Sequence, residues 1–459
     1  MITLKEIKKI NFLEAQNFSK TEEQIFFGVS IDSRNVTGTD LFFAIKGDWF
    51  DGHDFIADVV AKGVGACCVS MYWFRENKNK FKDAIFIVVD DTTKALGLLA
   101  NAYRTTFKIP FIAVAGSNGK TTTKEMLGCV LSQKYCVLKT EGNLNNHIGV
   151  PLTLFKLTKK HEVAVVEIGT NHFGEIDYLC NILEPDFGVM TNIGREHLEF
   201  FKNIEGVSKA EGELFNYIAK ADKFACINGD DQWILKTAAK IKNKITYGFS
   251  EGNNIHGIYK GLDNLARPTF EIHYENSTTK IRLQVPGEHS VSNAMAAFSV
   301  GIVLDVSTEK IKKGLEEYEA FSKRMEVSIK NNVTIINDCY NANPDSMLAA
   351  LNTLSQIKTT GKKIAVLGDM AELGEKSKEA HAEMGANFCT LGIDYLFTIG
   401  EDIQLTHKAA VGKIKDAKHF TNKEELIQYI KNILEKNDVL MVKASRSMKL
   451  EEVIENVFR

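Results

Sequence analysis

The sequence predicts an α/β protein of three domains, with a central P-loop-type mononucleotide-binding domain on a mostly parallel sheet and a C-terminal Rossmann-like doubly wound domain. Three observations carry this. The chain has 459 residues, which at roughly 150 per domain gives about three. Short β-rich runs alternate with helix-length amphipathic runs from end to end, the pattern of parallel sheets covered by helices. Near residue 111 an apolar strand passes through glycines directly into a helix.

The first domain is expected over residues 1–105, with strands at 40–45, 65–70 and 84–89. The second spans 106–320 and opens with the strand at 111–115, followed by apolar runs at 163–166 and 187–190. The third spans 321–459, and its runs at 333–336, 363–367, 395–399 and 439–442 are separated by helix-length stretches. Hydrophobic residues make up 44% and charged residues 25%, which excludes a largely disordered chain. With 56 Lys and Arg against 59 Asp and Glu, the net charge of −3 excludes nucleic-acid or membrane binding by bulk charge and leaves local basic pockets open. The longest charge-free apolar stretch, near 291–304, is too short to span a bilayer. The start, MITLKEIKKI, lacks the apolar core of a secretory signal. Eight scattered cysteines without a C-x-x-C pair read as free thiols in a reducing cytoplasm, not as a disulfide or zinc scaffold. A cytoplasmic monomer is expected.

The most informative segment is FIAVAGSNGKTTTKEML, residues 111–127. Gly116 and Gly119 let the backbone approach a polyphosphate, and the N–H groups of Ser117, Asn118 and the helix start aim at the anion. Lys120 supplies a cation for the β/γ-phosphates, and Thr121 and Thr122 follow it at the helix start. The Thr121 hydroxyl is suited to Mg²⁺. The general P-loop has another glycine where this chain has Val114. The shorter form G-x-x-G-K-T-T argues against the commonest kinase and GTPase loops and narrows the field to ATP-dependent amide-bond ligases. Glu167, at the end of an apolar run, is placed to hold Mg²⁺ at the C-terminal end of a buried strand. A further strand leads into TNIGREHLEFF, which carries Asn192, His197 and Glu199.

These segments resemble the Mur ligase family over nearly the whole chain. DSRNVTGTDLFFAIKG (32–47) and DGHDFI (51–56) look like its uridine-nucleotide-binding N-terminal domain, and GSNGKTTTKE is similar to its ATP loop. EGNLNNHIGVPLTL (141–154) resembles the segment that contacts the muramoyl-peptide substrate, and HSVSNAMAA (289–297) the adenine side. SKRMEV, NDCYNANPDSM, GDMAELG and VKASRSM complete the match. The YNANP run at 340–344 and residues 368–374 point most to the family member that joins D-alanyl-D-alanine to a UDP-N-acetylmuramoyl tripeptide.

The resemblance implies ATP and Mg²⁺ as cofactors. It implies that Lys120 grips the β/γ-phosphates, that Thr121 and Glu167 bind a first Mg²⁺ and that His197 binds a second. Arg324 would reach the ATP phosphates from the C-terminal domain once the domains close, Asp338 would hold the ribose, and Asn293 would sit on the adenine side. Ser33, Arg34, Lys46, Asn143, Asn145 and Asn146 would handle the UDP-sugar peptide. Asn343, Ser445 and Arg446 would contact the incoming dipeptide. One position departs from the family: where many members carry a carbamylated lysine, about fourteen residues after the metal-binding His, this chain has Glu211, with Lys209 nearby. The expectation is that Glu211 supplies a genetically encoded carboxylate.

The implied reaction, part of cytoplasmic peptidoglycan precursor synthesis, moves the γ-phosphoryl group to the tripeptide carboxylate. The dipeptide amine then attacks the acyl phosphate. A sibling ligase adding a single amino acid, a folylpolyglutamate-type ligase, and a nucleotide-dependent switch or motor stay open as alternatives.

Overall fold

The computed structural model describes residues 1–18, 25–320 and 323–459, and the chain forms two compact units. The first comprises Met1–Ala113, Val137–Gly169 and Glu175–Asp186; the second comprises Val114–Cys136, Thr170–Gly174 and Phe187–Arg459. Phe321 and Ser322, at the expected start of the third domain, lie outside the described residues.

In the first unit a five-stranded sheet runs in the order Glu14–Gln16, Phe86–Val89, Ala66–Ser70, Asp40–Phe43, Gly28–Ser30. It is parallel except for its first edge strand. The three strands expected from the sequence are its centre. Phe42, Cys67, Val69, Phe86 and Val88 are buried there with Ile56, Val59 and Phe74 of the covering helices, so the apolar runs read as strands because both faces are covered. Burial pushes the Cys67 thiol up to about 12, and the seven cysteines whose side chains are described are free. Helix Thr92–Arg104 starts on Asp91, whose carboxylate accepts from the N–H of Thr93 and Lys94. Strands Val137–Lys139 and Val163–Glu167 pair in parallel in the same unit.

The second unit holds two sheets. One runs Ser277–Arg282, Pro268–Tyr274, Ile255–Leu262, Asn243–Gly248, Phe224–Asn228, Phe187–Met190, parallel at its latter end and antiparallel across the first three strands. The other runs Glu326–Lys330, Val333–Asp338, Val439–Lys443, Lys363–Gly368, Tyr395–Ile399, Asp416–Phe420, with only the first pair antiparallel. The four strands expected in the C-terminal part form its interior. The outer two, at 326–330 and 416–420, are only partly buried and carry no apolar run to announce them. Among the described residues no helix is long and apolar enough to cross a membrane.

Candidate active site

Strand Phe111–Ala115 is fully buried and ends at the glycine turn, and helix Lys120–Leu131 begins on the far side. Gly116 (φ +114°) and Gly119 (φ +81°) occupy backbone that side chains rarely adopt. A Cβ at Gly119 would also stand 2.4 Å from Oδ1 of Asn293 on helix His289–Val303, so that side chain would have to move aside. That helix carries Asn293, whose Oδ1 accepts from the Thr123 hydroxyl at 3.3 Å.

The turn is clasped by the segment after strand Phe187–Met190. Asn192 Oδ1 accepts from Asn118 N–H (3.0 Å), Thr191 Oγ1 donates to Asn118 C=O (2.6 Å), and Ser117 Oγ accepts from Gly194 N–H (2.8 Å). Lys120 folds back over the turn, where its Nζ donates to the Gly116 and Ser117 carbonyls and lies 3.3 Å from Glu196 Oε2. Thr121 is buried at the helix start.

Glu211 sits on helix Ile204–Glu211 with no solvent exposure, and its Oε2 accepts the Gly116 N–H at 2.7 Å. Burial raises its pKa to about 7; Lys120 pulls the other way, and the nearby Glu196 pushes it further up. Glu196 Oε1 and Glu211 Oε1 are buried without a hydrogen-bond partner. Two orphaned carboxylate oxygens beside one ammonium make a site that favours an added cation.

His197 stands in left-handed backbone (φ 47°). Its Nδ1 is 2.6 Å from Glu372 Oε2 of the C-terminal part, an ion-pair distance at an angle outside hydrogen-bond geometry, and its Nε2 is 3.7 Å from Glu196 Oε2. Burial disfavours the imidazolium, but Glu372 and Glu196 outweigh it and hold the pKa above its usual value. Arg195 beside it donates from Nε to Asp345 Oδ1 (3.0 Å) and from Nη1 to Glu383 (2.8 Å).

In the first unit Glu167 ends its strand buried. Its Oε1 accepts from Asn145 Nδ2 at 3.0 Å, and its Oε2 is buried with no partner. Asn146 accepts from the N–H groups of Ile148 and Gly149 just ahead of helix Gly149–Leu154, while Asn143 is exposed. Ser33 and Arg34 lie in a short 3₁₀ turn, with the Arg34 guanidinium on Asp32, and Lys46 is exposed where the chain pairs with Asp51.

The C-terminal residues divide. Asn343 Nδ2 donates to Asn118 Oδ1 at 2.9 Å, so this expected dipeptide residue touches the phosphate turn. Asp338 accepts from Lys443 Nζ (2.6 Å) and Met325 N–H (3.0 Å). The Arg324 guanidinium lies 3.7 Å over the Tyr340 ring, with Nε buried and unpartnered. Ser445 Oγ accepts from Ala371 N–H at 2.7 Å, and Arg446 pairs with Glu451. Glu196 and Glu372 were not among the sequence candidates. The signal for Glu196 was its place directly before His197. Glu372 lay in the weighted run 368–374 but had no visible partner.

Among the described residues no three His, Cys, Asp or Glu side chains gather as metal ligands. Mg²⁺ does not require such a cage, since it is usually held by one or two carboxylates together with substrate phosphates and water. The hydroxyl, imidazole and orphaned carboxylates fit that chemistry.

Three family models match in turn: Mur ligase family, catalytic domain (26–104), Mur ligase middle domain (114–301), and Mur ligase, glutamate ligase domain (323–446). The UDP-N-acetylmuramoyl-tripeptide–D-alanyl-D-alanine ligase of Bacillus subtilis is 37% identical over 95% of this chain and 94% of its own length. The crystal structure of MurF from Acinetobacter baumannii superposes with a TM-score of 0.89 at 32% identity, covering 100% of this chain and 98% of that one. MurF ligase from Thermotoga maritima, solved in complex with ADP, gives 0.83 at 29% identity over 95% and 98%.

Proposed function

Because the chain belongs to the Mur ligase family, we propose that it joins D-alanyl-D-alanine to a UDP-N-acetylmuramoyl tripeptide with ATP, forming ADP. The step serves peptidoglycan precursor synthesis in the cytoplasm. The observation that carries the reading is the glycine turn closed by Lys120 against two buried carboxylates, in a chain whose full-length relatives bear that activity in their names. The alternative acceptors, single amino acids or glutamate on folate, have less support.

Residues 1–105 would take the UDP-sugar peptide, through Ser33, Arg34 and Lys46, with Asn143, Asn145 and Asn146 contributing from the segment at 141–154. Residues 106–320 would take ATP, and 321–459 the dipeptide. Lys120 leaves the main-chain carbonyls to meet the β/γ-phosphates, and the N–H groups of residues 117–121 receive the remaining phosphate oxygens. Asn293 would border the adenine. Arg324, stacked on Tyr340, swings toward the phosphates, Asp338 offers its remaining lone pairs to the ribose, and Asn343, Ser445 and Arg446 border the dipeptide. In the second unit Thr121 and His197 are the proposed Mg²⁺ ligands; in the first, Glu167 is the carboxylate proposed for the same role. Bound Mg²⁺ would neutralise charge on the transferring phosphoryl group. Glu211, held by Gly116 N–H, offers its free oxygen where other family members place a carbamate.

A carboxylate attacked directly by an amine is a poor electrophile, so the tripeptide carboxylate first takes the γ-phosphoryl group and the amine then displaces phosphate. The work left to the protein is positioning and charge neutralisation. A phosphate-release assay tests the reading: turnover should require both UDP-N-acetylmuramoyl tripeptide and D-alanyl-D-alanine. Full-rate ATP hydrolysis without the acceptor, or equal use of L-lysine, meso-diaminopimelate or L-glutamate as acceptor, would overturn it.

A further inference from the structure

We propose that Glu372 is a positioning residue for His197, by which the C-terminal part fixes which imidazole nitrogen faces the phosphate turn. The inference rests on the reading of His197 as a metal ligand. The two ring nitrogens address different parts of the unit. Nδ1 faces Glu372 Oε2 at 2.6 Å, whereas Nε2 faces Glu196 Oε2 at 3.7 Å, which in turn lies 3.3 Å from Lys120 Nζ. A carboxylate 2.6 Å from Nδ1 favours the proton on that nitrogen electrostatically and leaves the lone pair of a neutral imidazole on Nε2, on the side where the polyphosphate would lie.

The contact is built on both sides. Glu372 follows strand Lys363–Gly368 in a loop fastened at three successive residues. Asp369 accepts from the N–H of Glu401 and Ile403 (2.9 and 2.7 Å), Met370 N–H donates to His381 Nε2 (3.0 Å), and Ala371 N–H donates to Ser445 Oγ (2.7 Å). The loop then meets the His197 segment a second time, where Glu199 N–H donates to Glu372 C=O at 3.1 Å. Both His197 (φ 47°) and Glu372 (φ 62°) hold left-handed backbone without being glycine. Strain of this kind persists only where the surroundings over-determine it, and here the two strained residues face each other. Ser445 and His381 thereby act on the site through the loop.

The test uses the full chain carrying ¹⁵N-histidine, free of metal and nucleotide, at a pH of about 8.5 where imidazole is mostly neutral. His197→Gln assigns the resonance. Wild type should show His197 protonated on Nδ1; Glu372→Gln, whose amide oxygen still presents its partial negative charge to Nδ1, should keep that tautomer, and Glu372→Ala should lose it. Mn²⁺ binding in the presence of ADP, read as free Mn²⁺ by electron paramagnetic resonance, should weaken about 10–100-fold in Glu372→Ala and change little in Glu372→Gln. Unchanged tautomer and Mn²⁺ affinity in Glu372→Ala, or equal losses in both variants, would overturn the proposal. If His197→Gln binds Mn²⁺ as wild type does, the metal role of His197 fails, while the tautomer comparison still decides the Glu372 contact.

Discussion

Replacing Glu211 with glutamine should make the resting protein more stable while impairing it as an enzyme. The wild-type carboxyl is fully buried, with its pKa raised from 4.5 to about 7. A carboxyl raised in the folded state contributes most below its unfolded value; that contribution falls as pH rises from 4.5 to about 7 and is gone above. At 1.36 kcal/mol per unit, the ionised carboxylate costs on the order of 3 kcal/mol at pH 8, an upper figure because the charges around Glu211 act on it together. Glutamine escapes that cost. Its amide oxygen can still accept the Gly116 N–H, and its amide nitrogen can donate toward Glu196. At about 2–4 °C per kcal/mol for a domain of roughly 200 residues, the variant should melt several degrees above wild type near pH 8. Near pH 5 the two should nearly coincide. Differential scanning fluorimetry in EDTA without nucleotide measures both. An advantage that is absent at pH 8, or equal at the two pH values, would refute the argument that ionisation of a buried carboxyl is responsible.

Lys120→Met should lower the rate of phosphate release about 10²–10³-fold, since its loss removes charge from the transferring group, and should lower the melting temperature as well, because the buried Glu196 loses its ammonium partner. Turnover of the native enzyme should not respond to added bicarbonate, and Glu211→Ala should fall at least about tenfold; bicarbonate stimulation with an indifferent variant would sink the encoded-carboxylate reading. Asn343→Ala removes the acceptor for Ser346 N–H at a helix start, worth about 1 kcal/mol, and also the bond to Asn118. Its melting temperature should drop and its KM for ATP rise, and an unaltered KM would separate Asn343 from the phosphate turn.

What could be read from the chain follows from how local each signal is. Strands such as Val439–Lys443 and Phe111–Ala115 are buried on both faces, so they appear as unbroken apolar runs. Strands Glu326–Lys330 and Asp416–Phe420 lie at sheet edges with solvated positions, and their pairing is a property of the neighbouring strand. The glycine turn was legible because Gly116 and Gly119 answer to backbone conformation, a constraint inside one short segment. Glu372 and Asp345 reach the His197 loop from more than a hundred residues away, and no spacing rule connects them. Asn343 shows the intermediate case. Its motif marked it as functional, but only the fold shows that its amide meets Asn118.

The same charges that mark the site also dictate how its ligands should cooperate. Lys120 faces Glu196 and Glu211, so at a pH above about 7 the second unit holds two buried carboxylates against one ammonium at the turn. A diphosphate entering alone meets like charge, and each repulsive contact at an effective dielectric near 20 is worth on the order of 1 kcal/mol or more. A divalent cation reverses the sign of that interaction and gives the orphaned oxygens of both carboxylates a partner. By linkage, Mg²⁺ should tighten ADP binding by about tenfold or more, and ADP should tighten Mg²⁺ equally. Glu211→Gln removes one of the repelling charges, so ADP without metal should bind that variant several-fold tighter than wild type and gain less when Mg²⁺ is added. Isothermal titration in EDTA and in Mg²⁺ reads both terms. Metal-free ADP binding no tighter in the variant would show that the buried carboxylate does not govern entry of the nucleotide.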